Sequence, residues 1–360
     1  MRSLISIICS VMTSMAVQAA IREKNSLTYA RDIEKFKLSL NLPLVDHVVE
    51  LTLPNDQIAI RLKATDNSIV EPLQIIVPRD RARLTKSIEE LCSKNCQLFT
   101  KKIREKINAD TTGEKVVSIS LTQDLFSQLN REKYLGLLRK KHHHIMIKTE
   151  DLTIQQKFEM LRQMHLFLNP QEVASLKTHL AKTADLSVDR YLLPKFATNV
   201  VTHFTKYKGP NCFHAALAFQ NLSLAKSPTV NIHEELGYHP AMINYDELWR
   251  VLQSNFYEIN PEKTQLEYGD MVVIMDLAND RFSKPVDYKS IRHAATYLFN
   301  GFVFSKGSKS ASSPYLIKPL SDEFKLWKSF TPHIAVKVFR NNSTKQSTEL
   351  KFLDDWLDQT

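Results

Sequence analysis

Glycine is scarce in this chain, with seven in 360 residues, and five of them (Gly209, Gly237, Gly269, Gly301 and Gly307) lie beyond residue 200. Because glycine supplies the tight turns that other residues resist, that uneven supply marks a boundary near 185–200. Long apolar runs are missing too. No stretch after the first 20 residues approaches the roughly 20 apolar residues that a membrane-spanning helix needs, so no transmembrane segment is expected. Arginine-rich and aromatic-interleaved stretches are absent, and no nucleic-acid partner is expected despite a formal charge of +9. The cations sit in short runs such as Lys101-Lys102 and Arg139-Lys140-Lys141, the pattern of a solvated basic surface. No internal repeat or low-complexity tract interrupts the chain.

Metal-ligand spacing is a further absence. Cys92 and Cys96 have no second pair of ligands nearby. The run His142-His143-His144 cannot easily converge on one ion from a strand end, where consecutive side chains point to opposite faces. No metal and no cofactor is expected.

What is present starts at the N-terminus. Met1-Arg2 precedes an apolar core that runs into the small residues Ala16-Val17-Gln18-Ala19-Ala20, the pattern of a removable export signal over residues 1–20. The protein is therefore expected outside the cytoplasm, periplasmic or secreted. Arg2 is the only charge in the signal, so the mature chain carries 47 − 39 = +8. Its remaining length, 360 − 20 = 340 residues, is more than one core usually serves. We expect two domains, 21–190 and 191–360. An oxidising compartment makes a Cys92–Cys96 disulfide the expectation, closing a small loop.

The fold class reads as α+β. Upstream, Val116-Val117-Ser118-Ile119-Ser120-Leu121 and His144-Ile145-Met146-Ile147 read as strands around a helix over about 122–139. Residues 151–183 read as helical, with Asn169-Pro170 dividing two helices.

Cysteine arithmetic isolates Cys212. Cys9 lies in the signal, and Cys92 and Cys96 can pair with each other. In Lys208-Gly209-Pro210-Asn211-Cys212-Phe213-His214, a glycine-proline loop delivers Cys212 to the start of an apolar helix, where the helix dipole favours a reactive thiolate. A buried unpaired cysteine serving as a small hydrophobe is the alternative. Downstream, Leu266-Glu267-Tyr268-Gly269-Asp270-Met271-Val272-Val273-Ile274-Met275 reads as a Gly-Asp turn feeding a buried strand. Arg292-His293-Ala294-Ala295-Thr296-Tyr297-Leu298 reads as another strand, turned at Asn300-Gly301 into Phe302-Val303-Phe304-Ser305-Lys306-Gly307. A helix-borne cysteine and a strand-borne histidine are a common way to assemble a thiol nucleophile and its base.

These pieces resemble the NlpC-like branch of the papain-fold cysteine peptidases. The resemblance rests on Asn211-Cys212, Leu266-x-x-Gly269-Asp270-x-Val272-Val273, His293-x-x-x-Tyr297-Leu298 with Asn300-Gly301, and Val303-Phe304-Ser305-Lys306-Gly307. It covers about residues 195–340, and Phe213-His214 stand where the family often has Ser-Gly. It implies a papain-like C-terminal domain after an α+β N-terminal domain. It also implies a cysteine hydrolase acting on amide bonds of cell-wall peptidoglycan, with Cys212 as nucleophile, His293 as base and a third polar residue where Ser305 stands. An acyl-ester or lipid hydrolase or transferase, or a non-catalytic envelope-binding protein, are the competing readings. Hairpin register tests Ser305. A three-residue loop, 299–301, puts Ala295 opposite Ser305 and both on the face of His293; a two-residue loop turns Ser305 away and brings Lys306 to that face.

Overall fold

The computed structural model describes residues 33–45, 48–52, 59–63, 73–76, 116–119, 145–182, 185–206, 208–226, 242–276, 288–311, 313–331 and 333–342, with isolated positions 97, 101 and 105. The expected export signal, the Cys92–Cys96 pair, the helix over 122–139 and His142-His143-His144 lie outside the described residues.

The fold class is α+β, with antiparallel sheets and separate helices. One sheet is formed by β1 (Val48–Thr52), β2 (Ala59–Lys63), β3 (Leu73–Ile76) and β4 (Val116–Ile119), in that order. A short ladder pairs β5 (Met146–Ile147) with β6 (Leu186–Ser187). Between these two strands run α1 (Ile154–Met164) and α2 (Pro170–Leu180). Both helices begin with a capping box, Thr153 with Gln156 and Asn169 with Glu172, so the first free backbone N–H groups find acceptors. Pro170 opens α2 at a position where its missing N–H is not needed. Short helices α3 (Val188–Tyr191) and α4 (Lys195–Val200) lead to α5 (Cys212–Gln220), and α6 (Tyr245–Asn255) follows.

The sheet that carries the site has six strands. In spatial order these are β11 (Tyr315–Pro319), β10 (Phe302–Lys306), β9 (Ile291–Tyr297), β8 (Met271–Asp276), β12 (Ile334–Asn341) and β7 (Phe256–Ile259). Period-2 alternation gives each strand two apolar faces. On one face Met271, Val273, Met275, Ala294, Phe302 and Phe304 pack with the helix α5. On the other, Val272, Ile274, Ala295, Tyr297 and Val303 pack with Leu320 and Phe324 of α7 (Leu320–Phe330). The sheet therefore lies between α5 and α7.

The α5 face is continuous with residues far upstream. Leu40, Ile145, Met160, Met164 and Phe167 share one core with Ala215, Leu217, Phe219 and Phe339, so apolar packing crosses the sequence boundary expected at 190. Polar contacts cross it too. The buried Gln163 side chain accepts hydrogen bonds from the Tyr268 N–H at 2.6 Å and the Ser39 hydroxyl at 3.2 Å. Gly269 follows at φ +92°, and a Cβ there would lie 1.8 Å from the Phe167 ring. Glycine is needed at this turn for both conformation and space.

Candidate active site

Asn300 and Gly301 both take positive φ, 48° and 76°, and return the chain from β9 into β10. Val303 pairs with Tyr297 and Phe304 with Thr296, and the Leu298 N–H donates to the Phe302 carbonyl at 2.9 Å. This is the register of the three-residue loop. It sets Ser305 on the same face of the sheet as His293. The ladder between β8 and β9 shifts beside the histidine: Ile274 faces His293, while Met275 faces Ile291. The bulge leaves Arg292 as the extra residue, and bulges of this kind re-aim the neighbouring side chain.

His293 is fully buried and held from one side by a carboxylate. Its Nε2 lies 2.9 Å from Glu323 Oε1 and 3.2 Å from Ser305 Oγ, and the Ser305 hydroxyl donates to the same Glu323 oxygen at 2.6 Å. Lys318 Nζ reaches that oxygen at 2.7 Å. Since a carboxylate can only accept, Nε2 carries a proton and Glu323 fixes the ring's orientation. Trp327, one turn beyond Glu323 on α7, lies over the imidazole with ring centres 5.4 Å apart and 30° between the planes.

Electrostatics follow from this arrangement. Burial pushes the His293 pKa down, but Glu323 and then Cys212 push it up, leaving it raised to about 9. Burial alone would raise Glu323. The His293 and Lys318 cations outweigh that and hold it well below the usual carboxylate range. Each member of the pair thus stays charged because the other is there.

Cys212 begins α5, and Asn211 caps the helix by accepting from the His214 N–H at 3.0 Å. The helix then runs alongside β9. The Thr296 hydroxyl reaches the Ala216 carbonyl at 3.5 Å, and Gln220 at the far end donates to the Gly269 carbonyl. Cys212 is thereby left near the start of β9, where it acts on the charge of His293. The imidazole turns Nε2 to Glu323 and Ser305, while Nδ1 is buried without a hydrogen bond. Cys212 itself is buried and unpaired, with about 6% of its surface exposed.

The structure brings together Cys212, His293 and Ser305, and adds Glu323 and Lys318. Sequence reasoning missed Glu323. The signal lay in α7, where Leu320, Glu323, Phe324 and Trp327 follow i, i+3, i+4, i+7 spacing, so that one carboxylate interrupts an otherwise apolar stripe. Lys318 has a matching signal. It shares a face of β11 with Leu316, and these two residues pair with Val303 and Ser305. Among the described residues no group of three or more His, Cys, Asp or Glu side chains could hold a metal ion. No described helix is long and apolar enough to cross a membrane.

Comparison with known proteins returns no matching family model, no matching curated protein and no matching solved structure.

Proposed function

We propose that this chain is an exported cysteine hydrolase with a papain-like C-terminal unit, acting on amide bonds. The observation that carries the reading is the two-sided histidine. A buried imidazole is fixed by Glu323 and Ser305 at Nε2, its Nδ1 has no hydrogen bond, and a cysteine at a helix start acts on its charge. A structural histidine needs no thiol beside its free nitrogen, whereas a nucleophile's base does. A cysteine at the start of a helix packed on an antiparallel sheet, and a histidine on one strand of that sheet, support the papain-like reading.

In this reading the Cys212 thiolate attacks the carbonyl carbon of the scissile amide. The backbone N–H of Cys212, which has no acceptor within the helix, stabilises the developing oxyanion. The proton on His293 Nδ1 passes to the leaving nitrogen, the C–N bond breaks, and an acyl thioester remains on Cys212. Neutral Nδ1 then takes a proton from water, whose oxygen attacks the thioester. The carboxylic acid leaves, and the thiolate and imidazolium are restored. Glu323 stays ionised throughout and keeps Nε2–H in place. Peptides of cell-wall peptidoglycan are the substrate suggested by the resemblance and by export.

The test is hydrolysis of purified peptidoglycan, with phospholipid vesicles assayed in parallel, by the wild type and Cys212→Ala. Release of new amino termini from peptidoglycan by the wild type alone is the expected result. Fatty-acid release instead would move the reading to an acyl-ester hydrolase, and activity retained in Cys212→Ala would overturn it. Ser305→Ala should lower turnover by roughly tenfold with little change in KM, because Glu323 still holds the imidazole when one of its three donors is lost. A loss as large as that of His293→Ala would make Ser305 more than a helper.

A further inference from the structure

We propose that Lys318 is a positioning residue for His293: bound to the same Glu323 oxygen as the imidazole, its ammonium shares that carboxylate and keeps it from holding the imidazolium too tightly to release the Nδ1 proton. The inference rests on the reading of His293 as the acid and base of a hydrolase and adds a residue to it.

Lys318 lies near the end of β11, where it pairs with Val303 while Leu316 pairs with Ser305, so it stands on the face of the sheet that carries His293 and Ser305. Pro319 then leads into α7, whose first turn carries Glu323. Lys318 is buried, and lysine is almost never buried without a partner. Its Nζ stands 2.7 Å from Glu323 Oε1, the oxygen that also meets His293 Nε2 at 2.9 Å and the Ser305 hydroxyl at 2.6 Å. Among the described residues the other oxygen, Oε2, accepts no hydrogen bond. Two cations thus divide one oxygen. They lie within about 6 Å of each other, close enough for each to disfavour the other's charge.

The direction of the effect follows from sign. Glu323 favours the imidazolium, and the ammonium of Lys318 opposes it by repulsion and by taking part of the same oxygen. The other described charges on the elements around His293 have their own partners. On α7, Asp322 faces Lys325 at 3.7 Å and Lys328 lies over the Phe324 ring. Between β9 and β8, Arg292 reaches Asp276 at 3.4 Å. On β10, Lys306 donates to the carbonyls of Ser308 and Ser310. From α5, Cys212 acts on the histidine in the same sense as Glu323. Burial pulls His293 down and Glu323 lifts it, leaving it at about 9. A still more basic imidazole would be a poorer acid toward the leaving nitrogen near neutral pH. Lys318 therefore helps keep Glu323 ionised, so that it orients the ring, without leaving its whole field to the histidine.

The test is a titration of His293 on the full chain. In protein carrying 15N-labelled histidine, the His293 imidazole resonances, assigned with His293→Gln, should titrate about one pH unit higher in Lys318→Met than in the wild type, while Lys318→Arg keeps the wild-type midpoint. The same rise is expected in a Cys212→Ala background, so this arm does not depend on the thiol. In hydrolysis, Lys318→Met should lower kcat by about threefold with KM unchanged and move the alkaline limb of the rate profile to higher pH. A merely structural lysine would lower the melting temperature of Lys318→Met and leave the midpoint and that limb where they were. Lys318→Gln, neutral but still able to donate, is read in the same way if Lys318→Met does not fold. A His293 midpoint unchanged or lowered in the folded variant would overturn the inference while leaving Cys212 and His293 intact as a pair. A wild type that hydrolyses no amide would overturn the hydrolase reading, and the titration would still decide whether Lys318 acts on His293.

Discussion

Replacing Glu323 by glutamine should destabilise the protein by about 3–5 kcal/mol, the range for removing one partner from a buried charged group. Oε1 receives His293, Ser305 and Lys318 at 2.9, 2.6 and 2.7 Å. Glutamine keeps the shape and loses the charge. Two buried cations are then left without their anion, and His293 should titrate well below its wild-type value of about 9. In the wild type, His293 is raised from 6.5 to about 9, so its contribution to stability is complete below 6.5 and is lost as pH rises through about 9. Glu323 is lowered from 4.5, so its contribution is complete above 4.5 and is lost as pH falls. The pair supports the fold most fully between these limits. Urea unfolding from pH 4 to 10 and an NMR titration of His293 would measure both consequences in Glu323→Gln. Wild-type stability together with an unchanged His293 titration would show that the carboxylate does not hold the histidine.

Local signals in the sequence were enough to place Cys212, His293 and Ser305. A glycine-proline loop with an asparagine cap announces the start of α5, and the Asn300-Gly301 turn, once its loop length is known, determines which β10 residues share a face with His293. The Asn169-Pro170 break was readable for the same reason: a cap and a proline act within one turn of chain. Glu323 and Lys318 were not readable in this way. Glu323 meets the histidine, and Lys318 meets Glu323, because β11 pairs with β10 and α7 folds back over the sheet; the spacing in α7 marks a carboxylate on an apolar stripe but does not say which strand that stripe covers. The core shared across residue 190 was hidden for a related reason. The apolar faces of α1 and α2 show that something must cover them, but periodicity does not say that the partner includes α5 and β8.

Cys212→Ala should reduce hydrolysis to background while the protein still folds. The residue occupies the first position of α5, where alanine is well tolerated, and the Asn211 cap does not depend on the thiol. Folding and reactivity can therefore be measured apart, by circular dichroism and by turnover. His293→Ala should be nearly as severe for turnover, since the base of the proposed mechanism is then removed.

The most direct measurement of the central claim is the rate of iodoacetamide alkylation at Cys212 against pH, in the wild type and in His293→Ala. His293 stays protonated to about pH 9, held there by Glu323 first and then by Cys212. The wild-type rate at pH 6 should therefore lie within about threefold of the rate at pH 8. In His293→Ala it should fall toward that of an ordinary thiol with pKa near 8.5, roughly a hundredfold slower at pH 6 than at pH 8. A wild-type profile with that same steep dependence, or no reaction at Cys212 at all, would contradict the pairing of Cys212 with His293.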